Sequence, residues 1–94
     1  MNKFDYSQIP DHMMEAINYY IKDGSYIGGF LTAVFSNDLF HAVSRADDEN
    51  LALLPTYVCY IFNECPNGCF GSLEIIKAWQ KKKREENREE LNEY

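Results

Sequence analysis

Aromatic rings beside a glycine turn are the arrangement in this chain best suited to holding a ligand. Tyr19 and Tyr20 precede Gly24, Gly28-Gly29 follow, and a polar cluster, Ser36-Asn37-Asp38, interrupts the apolar run after them. A ring with an accessible face stacks on a nucleobase for about 1–3 kcal/mol, and Tyr19, Tyr20, Tyr26, Phe70 and Trp79 are candidates for that work. Gly24 can end a helix in the left-handed conformation, and Gly28-Gly29 lets backbone or ligand come close. Together these residues read as a small-ligand platform. The competing reading is that the glycines only punctuate two helices and the rings are core. If the body binds phosphate, Lys22 and Arg45 are the candidate cations, because they flank this stretch.

Other chemistries fare less well. Cys65 and Cys69 are spaced four apart, but a structural zinc site needs four ligands, and Cys59, His12 and His41 show no second paired spacing. A nucleophilic Cys69 with His41 lacks an orienting third group and an oxyanion site. Asp47-Asp48-Glu49 are consecutive, so on a helix they do not converge on one magnesium ion. Their place before an apolar run is explained by the helix dipole. No phosphate-binding glycine loop is present. The residues therefore argue for a binding protein over an enzyme, with no metal and no cofactor.

The elements that must position these groups are helical. Ile9-Pro10-Asp11 opens a first helix, whose buried face is Met13, Ala16, Ile17, Tyr20 and Ile21, with Tyr19 off that face and a stop at Asp23-Gly24. A second helix is predicted from about Ile27–Phe30 to Arg45, with a kink or restart at Ser36-Asn37-Asp38, which favour caps and turns. Its apolar residues are too many for one neighbour, which suggests burial by a partner as well. A third carries Leu51, Leu54, Val58, Ile61, Phe62 and Cys65 as its stripe, with Tyr57 and Tyr60 beside it and Pro55 either in its first turn or kinking it. Cys65 to Gly71 is a turn by composition, and Ser72 caps a last helix with Ile75, Ile76 and Trp79 as its apolar residues. The expected architecture is all-α, a protomer of three to four helices in a homo-oligomer, with a domain over 1–80 and a charged extension or frayed tail over 81–94.

Composition narrows the partners. Ninety-four residues make one small domain, and 46% hydrophobic with 15% aromatic residues is a rich supply for so short a chain. Net charge is −6, so the mean field repels nucleic acid polymers, while a few cations and backbone N–H groups in a shielded pocket can still hold a small anion. The run Lys81-Lys-Lys-Arg84 is interleaved with Glu85-Glu86 and Glu89-Glu90, which reads as a solvated helical face. The N-terminal residues lack a signal-peptide core, and no run approaches the roughly 18 apolar residues of a membrane span. A cytoplasmic location is therefore expected, and three cysteines, an odd count, read in such a reducing compartment as free thiols.

One resemblance adds to this reading. Ala16 to Tyr20, Gly24, Gly29 to Val34, Asn37 to Leu39, Arg45 to Asp47, Leu54-Pro55, Tyr60, Asn63-Glu64, Pro66 and Gly71-Ser72 resemble, over most of residues 12 to 80, the phage anti-CBASS protein 2 family of cyclic-oligonucleotide sponges. The resemblance implies an all-helical protomer in a compact homohexamer. It implies sequestration of cyclic dinucleotides such as cyclic GMP-AMP between protomers and cyclic trinucleotides elsewhere, without cleavage, in an infected bacterial host. By position it implies that Tyr20 or Tyr19 stacks on a base and that Ser36 and Asn37 approach the phosphates. A lysine is expected at that contact and Ser36 is not one, which leaves Lys22 or Arg45 of a neighbouring protomer. It also points to Phe70, where the family pattern expects tryptophan before Gly71-Ser72, as a trinucleotide contact. A helical protein-interaction module and a phosphodiesterase-like enzyme are the alternatives from other classes.

Overall fold

The computed structural model describes residues 4–92, with side chains as far as Arg88. Every regular element in it is helical: a 3₁₀ turn at Tyr6–Gln8, then α1 (Asp11–Asp23), α2 (Gly28–Phe35), α3 (Leu39–Arg45), α4 (Asp48–Ala52), α5 (Leu54–Glu64) and α6 (Leu73–Asn92). Six helices replace the expected three to four. The expected second helix is divided in two, and a one-turn helix precedes the third. No described helix is long and apolar enough to cross a membrane.

The local chemistry explains the boundaries. Pro10 stands just before α1, its carbonyl accepting from the Met13 and Met14 N–H groups, and Gly24 ends the helix at φ 71° with its N–H on the Tyr20 carbonyl. At the end of α2 the Asp38 N–H reaches the Ala33 carbonyl at 2.8 Å and the Asn37 N–H reaches that of Val34 at 3.1 Å, with Asn37 at φ 63°. That pair of bonds is a Schellman ending, with asparagine in the left-handed position where glycine is usual. Asp38 then caps α3 by accepting from the His41 N–H, and Asp47 caps α4 by accepting from that of Asn50. Pro55 sits in the first turn of α5. Ser72 caps α6 through its hydroxyl on the Ile75 N–H.

The core joins α1, α2, α5 and the first half of α6, with Ile17, Tyr20, Leu31, Phe35, Tyr57 and Ile76 fully enclosed. The α1 face is the expected one, since Ile17 and Tyr20 are buried and Met13, Ala16 and Ile21 pack against them. In α5 the faces differ from expectation. Tyr57 and Ile61 are the buried pair, while Val58 and Phe62 are exposed. The reason is tertiary: Tyr57 turns inward to meet the edge of Phe30 at 5.3 Å and to donate to the Asn50 Oδ1 at 2.8 Å. Burial and the nearby carboxylates of Glu49 and Asp47 push its phenol up to about 12.

The charged extension is also more engaged than its composition suggests. As far as it is described, the segment beyond Gln80 continues α6 and runs along the end of α1. Gln80 donates to the Ser25 carbonyl, Arg84 to the Gly24 carbonyl, and Asn87 to the Asp23 carboxylate at 3.2 Å. A Cβ on Gly24 would lie 2.7 Å from the Gln80 carbonyl oxygen, so the turn after α1 and the α6 backbone touch. Residues 93 and 94 of the expected tail lie outside the described residues.

Candidate functional site

A groove of about 280 Å³ opens between the end of α2, the outer face of α5 and the turn at residues 65–72. Phe35 and Ile61 are its buried residues, Val34, Val58, Phe62 and Phe70 its more accessible apolar ones, and Asn37 and Gly71 complete the lining. The Phe62 and Phe70 rings stand 6.4 Å apart between centroids, tilted by 59°. A shallower depression of about 50 Å³ continues the groove past Val34, Asn37 and Val58 to Leu39 and Ala42 of α3.

Phe70 is held from both sides. The Tyr20 hydroxyl donates to the Cys69 carbonyl at 2.6 Å, and the Gly71 N–H donates to the Phe35 carbonyl at 2.7 Å. The turn that carries the ring is thereby bonded to α1 and to the end of α2. Gly71 makes the second bond at φ 132°, in a region that suits glycine. Tyr20 in turn packs its ring edge-on against Phe35 at 5.1 Å and receives the Trp79 indole N–H on its carbonyl. Burial pushes its phenol well above the ordinary tyrosine value.

The larger groove is lined by no titratable side chain. Its polar side chain is the carboxamide of Asn37. Asp38 borders the shallower extension, where its carboxylate is taken up by His41. The ring Nδ1 lies 2.6 Å away, and the hydrogen bonds from His41 hold the Asp38 carboxyl below the usual carboxylate range. The Ser36 hydroxyl donates back to the Ala33 carbonyl at 3.1 Å.

Of the residues singled out in the sequence, Asn37 and Phe70 meet in this groove, and Ser36 is the neighbour of Asn37 in the chain. The others lie outside its lining. Tyr20 has no exposed ring face, so its burial removes it as a stacking surface and makes it the support behind Phe70. Trp79 is likewise buried, with Lys83 4.8 Å from its ring centroid. Tyr19 is 58% exposed on α1, and Lys22 is exposed in the last turn of the same helix. Arg45 lies over Gly29, where an added Cβ would come within 3.1 Å of the guanidinium.

Val58 and Phe62, read as core in the sequence, are groove residues instead. The signal that could have found them is the excess of apolar positions in α5, where both Tyr57-Ile61 and Val58-Phe62 keep four-residue spacing.

The cysteines are free, with Cys65 and Cys69 buried behind the turn. Their mutual hydrogen bond and burial hold the Cys65 thiol above its ordinary value. Among the described residues, no group of three or more His, Cys, Asp or Glu side chains comes together as metal ligands would.

No protein-family model, curated protein or solved structure matches the chain. The site's own chemistry carries the functional argument. An apolar trough with two phenyl rings and one carboxamide offers contact area, stacking and one donor–acceptor pair, which are means of holding a ligand.

Proposed function

We propose that the protein is a phage immune-evasion sponge. It binds cyclic dinucleotides such as cyclic GMP-AMP, and cyclic trinucleotides, without cleaving them, so that CBASS effectors in the cytoplasm of the infected bacterial host lose their second messenger. The observation that supports this most directly is the make-up of the groove: two accessible phenyl rings and the Asn37 carboxamide, with no charged group between them. A nucleobase needs a ring face and a hydrogen-bonding edge, and this lining offers both. Sequestration then needs only affinity, with protein in excess of messenger.

The phosphates call for a cation that the groove's lining does not include. In a homohexamer, Lys22 or Arg45 of a neighbouring protomer supplies it, and Tyr19 contributes a second stacking face. Leu39, Phe40 and Val43 on α3 are exposed, Phe40 by 85%, and such a face suits contact between protomers. The same face favours a second reading, a module that binds and inhibits a host protein.

The deciding experiment titrates the purified protein calorimetrically with cyclic di- and trinucleotides, then digests it and identifies the nucleotide released. Tight binding with intact nucleotide recovered supports the sponge. Hydrolysed nucleotide makes the protein an enzyme, and no binding across the panel leaves the interaction module. Light scattering on the same sample reads the hexamer.

A further inference from the structure

The Asn37 carboxamide is the unpartnered polar side chain of the groove. Its backbone serves the α2 ending, with φ 63° and its N–H on the Val34 carbonyl, and its side chain is exposed with no hydrogen bond among the described residues. The neighbouring polar groups are occupied, Ser36 by the Ala33 carbonyl and Asp38 by His41. Glycine would satisfy the left-handed backbone here at lower cost. Asparagine therefore adds one thing to the fold's requirements: a donor and an acceptor, side by side, on the wall of an apolar trough.

We infer that Asn37 reads the edge of an adenine base seated against Phe62 and Phe70. The carboxamide oxygen accepts from the adenine N6 amino group and the amide nitrogen donates to N7, the bidentate match of asparagine to adenine. Guanine presents two acceptors, O6 and N7, along that edge, so the carboxamide oxygen would meet an oxygen. The volume agrees with a single base. At about 280 Å³ the groove falls just short of the roughly 300–1,000 Å³ of pockets that enclose a drug-sized ligand, so it takes one base and leaves the rest of a cyclic dinucleotide outside. The inference rests on the nucleotide-binding function proposed above and names the base that this groove selects.

The test compares calorimetric affinities of the full chain, Asn37→Gly and Asn37→Asp for cyclic di-AMP and cyclic di-GMP. Both substitutions suit a left-handed residue, so melting curves near wild type are expected. The wild type should prefer cyclic di-AMP. Asn37→Gly should lose roughly five- to hundredfold in affinity for cyclic di-AMP, as expected for one bidentate base contact, while its affinity for cyclic di-GMP stays the same. Asn37→Asp keeps the size but has no donor, and it should lose the adenine preference as well. Wild-type binding of cyclic di-AMP that Asn37→Gly leaves unchanged would overturn the base-reading role and leave the sponge intact. Failure of the wild type to bind either nucleotide would overturn the base-reading role, and the di- and trinucleotide titration above decides the sponge separately.

Discussion

The Tyr20 hydroxyl donates a 2.6 Å hydrogen bond to the Cys69 carbonyl across 49 residues of chain, both partners buried. That bond fixes the turn next to Phe70 to the core helix. It also separates two adjacent tyrosines into different kinds of work, since Tyr20 supports the site and Tyr19 faces solvent.

Tyr20→Phe removes the hydroxyl and leaves the Cys69 carbonyl buried without its donor. Stability should fall by about 1–3 kcal/mol, read as a lower urea midpoint at unchanged slope, while Tyr19→Ala should stay within about 0.5 kcal/mol of wild type. Equal effects of the two substitutions would contradict the division of roles.

Phe62 is 72% exposed, so Phe62→Ala should change stability little. Its effect belongs to the ligand. Loss of one stacking face should weaken nucleotide binding by about 1–3 kcal/mol, and the same calorimetric titration measures it. Unchanged affinity would move the ligand out of this groove.

Gly24 and Gly68 both have positive φ, but only Gly24 faces backbone, with 2.7 Å from a new Cβ to the Gln80 carbonyl, whereas nothing lies within 4 Å at Gly68. Gly68→Ala should cost about 1–2 kcal/mol for its backbone conformation. Gly24→Ala adds a clash of about 1–3 kcal/mol, so it should unfold at clearly lower denaturant. Similar midpoints would mean that α6 does not press on this turn.

A chain ended after Gln80 loses the Arg84 and Asn87 hydrogen bonds to the end of α1 and the Lys83 contact with Trp79. Stability should drop by about 1–3 kcal/mol, with faster amide exchange confined to the α1 end and the Gly24 turn. A solvated extension would be removed without either change.

Hydrogen bonds from His41 depress the Asp38 carboxyl. A depressed folded value means that the cap's contribution is fully present above the ordinary aspartate value of about 3.9 and is lost as pH falls through the lower folded value. The His41 amide should therefore become exchange-labile in that acid window, and Asp38→Asn should abolish the pH dependence. A flat profile in the wild type would deny the cap its charge.

The helical class, the α1 face, the stop at Gly24 and the start at Ser72 were legible in the sequence, because capping groups and glycine act through bonds a few residues long. The break at Ser36-Asn37-Asp38 was legible for the same reason. Which residues form the site was legible only in part. Asn37 and Phe70 stood out by type, but nothing local places them in one groove, and helical spacing put Tyr20 on the buried face and Tyr19 off it without showing that Tyr20 would hold the turn beside Phe70. In α5 the pairs Tyr57-Ile61 and Val58-Phe62 have the same period, and periodicity reports a face about a helix's own axis without saying which neighbour arrives against it. Tertiary packing decided that, by bringing Phe30 and Asn50 to Tyr57 and leaving Val58 and Phe62 to line the groove.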